Sequence, residues 1–291
     1  MGYFIVCPGR CGSTHLGTFL GNLPEFQMIS ETWSYRTNRQ ALLSADLLTP
    51  TDFVRQLTVP PPRDALRVLK TQQQARDKLD TTLNIAHQRM APLKSRDFHQ
   101  LYSRLLGQQH MNLQVNARQV FSALCTTSHK PAWIEKTGGS LRYAQTLFER
   151  FPGTGFVILE RDLHAVARSK SLHPGFVAGL LFRHQAELEP HFVQHLQQGK
   201  IRAADRAKLM ELFLEEDQRP AEALECLLQH TPPGHFYRCS YETMVQHPGD
   251  FIRATLEFLA NRRPTDAEVG RFVSQTRPAS SIAAKQRMCH R

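Results

Sequence analysis

Long apolar runs are missing from this sequence: no stretch approaches the roughly 18–20 consecutive apolar residues that a membrane-crossing helix needs. The first residues, with Met1 directly before an apolar strand candidate, read as a strand rather than as a charged and then apolar leader. The expectation is a cytoplasmic protein with no membrane span. Cysteine is scarce: six residues at scattered positions in a chain of 291 make no disulfide framework. The close pair, Cys7 and Cys11, brackets a turn and lacks a second Cys or His pair at ligand spacing. Reduced thiols and no metal are therefore expected. Blocks of one charge sign are also lacking. The net charge of +10 is spread along the chain, with no basic arm, nucleic-acid recognition motif or platform of stacking aromatics. Such a surface attracts anions, including phosphorylated small molecules, but nucleic acid is not expected as a partner.

What is present begins at once. "FIVCPGRCGSTHLGTFL" (residues 4–20) reads as a buried strand, a glycine-bearing loop and a helix. A strand feeding a loop and a helix N-terminus suits an anion, since the first turn of a helix offers unpaired N–H groups and the positive end of its dipole. Gly12, Ser13 and Thr14 open that helix, and Arg10 is the fixed charge in the loop. No Lys-Ser or Lys-Thr pair follows the last glycine, which argues against an ATP- or GTP-binding loop of the usual kind. Ordinary capping of the helix by Ser13 or Thr14 is the plain structural alternative.

Further short apolar runs bounded by breakers predict strands at 132–136 (AWIEK), 155–160 (GFVILE) and 235–240 (HFYRCS), with a shorter candidate at 27–30 (QMIS). Helical spacing relates Leu16, Phe19 and Leu20, and again Leu141, Ala144, Leu147, Phe148 and Phe151, with Ser140 as the expected N-cap of the second helix. Strands alternating with helices predict a mostly parallel sheet covered on both faces, whose ligands gather beyond the strand C-termini. From about 36 to 130 the strand signal lapses, and a helical insertion is expected there. A second polar helical stretch is expected at about 176–229.

Two more strand ends carry chemistry. "GFVILERDLHAVARSKS" places Arg161 at a strand terminus and Ser169 two helical turns on, a basic residue and a hydroxyl suited to a second phosphate. A local salt bridge between Arg161 and Asp162 is the alternative. "WIEKTGGSL" puts Lys136 at another strand end. Arg10, Lys136 and Arg161 are thus expected to converge on one rim.

The ordered framework of these motifs resembles the sulfotransferases that use 3′-phosphoadenosine 5′-phosphosulfate. "PGRCGSTHLGTFL" is similar to the family's phosphosulfate loop, commonly R-x-G-S/T-S/T, and "FPGTGFVILERDLHAVARS" to its 3′-phosphate element, with a Ser eight residues after the Arg. "EKTGGSLRYAQTLFERFP" is similar to the D/E-K-T-P segment, although Gly138 stands in place of the Pro. "YRCSYETMVQHPGDFIRATLEFLA" is similar to the Y-E-D-L-V-x-x-P segment and its closing helix.

The resemblance implies an α/β, P-loop-like, three-layer fold forming a single domain over residues 1–291. It implies a sulfuryl transfer from that nucleotide to a hydroxyl; with an intracellular protein expected, a sugar, glycolipid or small alcohol is the expected acceptor. It assigns Arg10, Cys11, Gly12, Ser13 and Thr14 to the 5′ end of the donor, and Arg161 and Ser169 to its 3′-phosphate. Arg10 and Lys136 would stabilise charge on the leaving phosphate. Glu31, in "QMISETW", is similar to the Glu that acts as base in the trehalose and tyrosine enzymes, with His15 as the competing base. The family's C-terminal G-x-x-G-x-x-K/R segment is absent; Arg277, Ser280, Ser281 and Lys285 of the tail are the candidates to close over the nucleotide. Two other classes stand against this reading. A nucleotide kinase needs a loop lysine and a magnesium-binding carboxylate, which the sequence does not show. A polyanion-binding protein leaves Glu31 and Lys136 without a role.

Overall fold

A computed structural model describes residues 1–30, 47–48, 111–112, 121–122, 125–126, 128–184, 188–197 and 201–276. Strand β1 (Gly2–Val6) leads through a loop to helix α1 (Ser13–Gly21) and β2 (Phe26–Ser30). Two-residue strands β3 (Leu47–Leu48) and β4 (Met111–Asn112) pair antiparallel. That pair adds strand where a purely helical insertion is expected at 36–130; nearly all the rest of that segment lies outside the described residues. β5 (Ala132–Lys136) follows, then a 3-10 turn (Ser140–Tyr143), α2 (Ala144–Arg150), β6 (Gly155–Glu160) and α3 (Leu163–Ser171). The second helical stretch comprises α4 (Pro174–His184), α5 (Pro190–Gln197) and the 27-residue α6 (Ala203–Gln229). The described residues close with β7 (Phe236–Ser240), α7 (Tyr241–Gln246), α8 (Pro248–Ala260) and α9 (Asp266–Gln275).

The main sheet has the order β2-β5-β1-β6-β7, and every pairing in it is parallel. β1 and β5 read as continuous apolar runs because both faces are covered, and all five residues of each are buried. Their side chains divide by the period of two. Phe4 and Val6 face one core with Trp133, Leu147, Phe151 and Leu224, under α2 and α6. Tyr3 and Ile5 face the other with Leu16, Phe19, Leu256 and Phe272, under α1, α8 and α9. A third apolar cluster joins α4, α5 and α6 through Leu180, Phe192 and Phe213. The result is a three-layer, P-loop-like α/β fold.

Register fixes the rim. Ile5 lies opposite Lys136 and Val6 opposite Ile158, so β1 ends one residue past β5 and two residues short of β6, and the three strand ends share one rim. Because β5 and β6 flank β1 on opposite sides, the crevice beyond the end of β1 is where the strand order reverses.

One expected cap is not made. Ser140 lies inside the 3-10 turn, and α2 starts at Ala144 without a side-chain cap. The Ser140 hydroxyl instead accepts the Cys7 N–H at 3.0 Å and donates to the Ile5 carbonyl at 3.1 Å, binding the turn to the end of β1.

Candidate active site

The loop leaving β1 is left-handed at three residues, Gly9 (φ 82°), Arg10 (φ 56°) and Gly12 (φ 82°). At Gly12 a Cβ would stand 2.3 Å from Met244 Cε and 2.9 Å from Tyr241 Cδ2, so only glycine lets the loop pass beneath α7. Arg10 bears the same handedness with a side chain, a strain of about 1–2 kcal/mol that collects at functional loops. Gly12 is also the N-cap of α1, and no side chain caps the helix. The alternative, capping by Ser13 or Thr14, is not what forms, which leaves the first-turn N–H groups without a side-chain acceptor.

Two guanidinium groups meet here. Arg10 Nε donates to Ser169 Oγ at 3.1 Å, and Arg161 Nη1 donates to the Arg10 carbonyl. The Arg161 guanidinium carbon sits 4.2 Å above the ring of Tyr241. Arg161 Nε is buried without a hydrogen-bond partner among the described residues, and no described carboxylate pairs with either arginine. Asp162 is occupied otherwise, accepting Ala165 N–H at 2.7 Å as the N-cap of α3, so the alternative of an Arg161–Asp162 salt bridge is not what forms. Burial first, and the neighbouring Arg161 second, draw the Arg10 guanidinium below its ordinary value. Like charges held together with an orphaned buried N–H are the donor set of an anion site.

Lys136 is buried at the end of β5 and reaches the first turn of α1, donating to Thr14 Oγ1 at 3.4 Å. Ser30 lies in register with Lys136. Glu31 itself lies outside the described residues, as do Arg277, Ser280, Ser281 and Lys285. His15 turns toward α9, where Nε2 meets Thr276 Oγ1 at 2.9 Å and the ring lies 5.0 Å from that of Phe272; burial lowers its pKa. Beneath the loop both thiols are buried. A hydrogen bond from Cys11 outweighs burial and, with Ser13, Gly9 and nearby Lys136, draws Cys7 down to about 6, whereas burial pushes Cys11 up. Among the described residues no group of three or more His, Cys, Asp or Glu side chains is placed to hold a metal ion, and no helix is long and apolar enough to cross a membrane.

The structure thus joins Arg10, Arg161 and Ser169 at the loop and Lys136 with Thr14 at the first turn of α1. Sequence reasoning missed Tyr241, although the Tyr-Glu following a strand was a visible signal. It also missed the ion cluster behind Ser169: Lys170 Nζ donates to Asp217 Oδ2, with both side chains fully buried. Arg142 reaches Asp217 at 3.2 Å and Glu216 at 2.6 Å. No sequence signal links those positions.

No curated protein matches the chain in sequence. Among solved structures, the chain is similar to the sulfotransferase domain from the curacin biosynthetic pathway, at 16% identity and a TM-score of 0.52, covering 92% of this chain and 75% of that one. It is also similar to the sulfotransferase domain of a Synechococcus olefin synthase (12% identity, TM-score 0.46, 92% and 75% covered). A sulfotransferase from Mycobacterium tuberculosis gives 15% identity and a TM-score of 0.43, with 94% and 70% covered. The profile of the sulfotransferase family matches residues 3–263, from β1 to just beyond α8 and so across every described element that lines the crevice. The chain belongs to the sulfotransferase family, enzymes that carry a sulfuryl group to an acceptor.

Proposed function

We propose that the sulfuryl donor is 3′-phosphoadenosine 5′-phosphosulfate and that the acceptor is a hydroxyl of a sugar, glycolipid or small alcohol. The observation that carries the donor assignment is the pairing of Arg10 and Arg161 beside Ser169, with a buried unpartnered Arg161 Nε and no described carboxylate to neutralise it. A dianionic 3′-phosphate supplies the missing charge and acceptor oxygens. The first turn of α1, uncapped by side chains, suits the 5′ anion. Tyr241 and the Arg161 plane offer a stacking surface beside it.

When bound, the donor supplies an activated sulfuryl group on a phosphate leaving group. The chain's own contribution is position and positive charge, by analogy with phosphoryl transfer. Lys136 holds an ammonium beside Thr14 at the α1 N-terminus, where it stabilises charge growing on the leaving oxygen. Arg10 supports that charge from the loop. The acceptor hydroxyl attacks sulfur as its proton passes to a carboxylate, a role we give to Glu31, which follows directly on the strand residue in register with Lys136. The engagement of His15 with Thr276 supports that choice over the imidazole.

Calorimetric titration with adenosine 3′,5′-bisphosphate, ATP and AMP tests the donor. Tight binding selective for the bisphosphate and lost in Arg161→Ala supports the reading; equal affinity for ATP, or no binding, overturns it. Glu31→Ala is expected to keep nucleotide affinity and lose turnover with any accepted alcohol.

A further inference from the structure

The cluster behind α3 has no part in the chemistry above, yet it holds an ion pair closed off from solvent. Lys170 and Asp217 are 0% and 1% exposed. Lys170 follows Ser169 in sequence, and one residue along a helix turns the side chain by about 100°. Ser169 therefore faces Arg10 while Lys170 faces α6. Asp217 also receives Arg142, from the turn whose Ser140 hydroxyl holds both Ile5 and Cys7 and whose Leu141 N–H donates to the Cys7 carbonyl at 3.0 Å. One carboxylate thus ties the helix that presents Ser169 to the strand end that presents Arg10. The Lys170 ammonium lies 5.5 Å from the ring of Phe176, against which a Cβ on Gly9 would press at 3.0 Å, so the same cluster backs the loop from a second side.

We infer that Asp217 is a positioning residue for recognition of the donor's 3′-phosphate: it sets the Ser169 helix against the Arg10 loop. This rests on the donor reading above. A buried ion pair contributes little to stability compared with apolar side chains of the same volume, and its best-attested use is to fix one arrangement among several. The remaining charges at the cluster are Glu216, which holds Arg142, Arg183 and His184, so without Asp217 the Lys170 and Arg142 cations repel across the junction. A shift of about 1 Å there is enough to cost an oriented contact most of its effect.

The readout is selectivity rather than activity. The dissociation constants of adenosine 3′,5′-bisphosphate and of AMP are measured by calorimetry for wild type, for Asp217→Asn and for the double variant Lys170→Met/Asp217→Leu, each checked for a folded near-ultraviolet dichroism signal. The expected result is a preference for the bisphosphate that falls about tenfold in both variants while affinity for AMP stays within about twofold. The melting temperature should drop in the single variant and recover in the double, where Arg142 keeps Glu216. A purely structural role would move the melting temperature and leave the preference intact, and that outcome overturns the inference. If Asp217→Asn does not fold, the double variant, in which Lys170 is gone and Arg142 keeps Glu216, decides alone. A wild type without preference overturns the donor reading together with this inference; a wild-type preference retained in the folded variants overturns this inference only.

Discussion

Two clusters of cations lie on opposite sides of α3, one meeting Ser169 and the other containing Lys170, and they differ in one respect. Lys170 and Arg142 meet the carboxylates of Asp217 and Glu216 in the interior, so their charge is matched within the chain. Arg161 and Arg10, at the two ends of a hydrogen bond on the crevice side, meet a hydroxyl, a carbonyl and an aromatic ring, and no described carboxylate. Residue type does not separate the two. The supply of counter-charge does: the fold neutralises one cluster within the chain and leaves the other, beside a helix N-terminus, as the one we propose for an anion from outside.

The comparison breaks most visibly if the internal cluster is emptied. Asp217→Ala leaves the buried Lys170 ammonium without a counter-charge beside the part-buried Arg142 and should cost about 3–5 kcal/mol of folding stability, read by urea denaturation. A loss below about 1 kcal/mol would mean that the cluster is hydrated and not interior.

Acid probes the same side without mutation. Hydrogen bonds from Arg183 and His184 and the charge of Arg142 outweigh burial and hold Glu216 down at about 2, below the ordinary carboxylate value of 4.5. A carboxylate depressed in the folded state stabilises it fully above about pH 4.5, and that stability is lost as pH falls toward 2. The contribution is on the order of 3 kcal/mol by linkage. The slope of stability against pH between 4.5 and 2 should therefore flatten in Glu216→Gln.

On the crevice side, Arg161→Ala should behave in the opposite sense. We expect a loss of roughly 1.5–3 kcal/mol in bisphosphate binding, about ten- to a hundredfold, from charge-assisted bonds to phosphate. Folding stability should change by less than about 1 kcal/mol, because the arginine has no carboxylate to abandon. A destabilisation as large as that of Asp217→Ala would erase the distinction between the clusters.

The smallest effect belongs to a third, exposed group, in which Arg238 bridges Glu160 and Glu225 with 45% of its side chain open to solvent. Arg238→Ala should cost under about 1 kcal/mol of thermal stability and nothing in nucleotide selectivity.

Much of this was legible in the residues. The strands at 132–136 and 155–160 stand as their apolar runs predict, since central parallel strands are covered on both faces and need no alternation. β2 and β7 differ from expectation by a residue at one end. Ser140 reads as an N-cap by local rules, but its hydroxyl goes to Cys7 and Ile5, more than 130 residues away, because the turn packs on the end of β1 before the helix begins. Propensity cannot see such a bond.

The sequence by itself determined the order of the five main-sheet strands along the chain, the glycine-bearing loop at the first strand end, and the presence of Arg10, Lys136, Arg161 and Ser169 at strand and helix termini, because periodicity and backbone chemistry are local. Tertiary structure alone decided which of these meet. Arg10 and Ser169 touch across 159 positions, and Lys170 finds Asp217 across 47. The reason is electrostatic: whether a cation is a strut or a site depends on which carboxylates the fold brings within about 4 Å, and that distance has no counterpart along the chain.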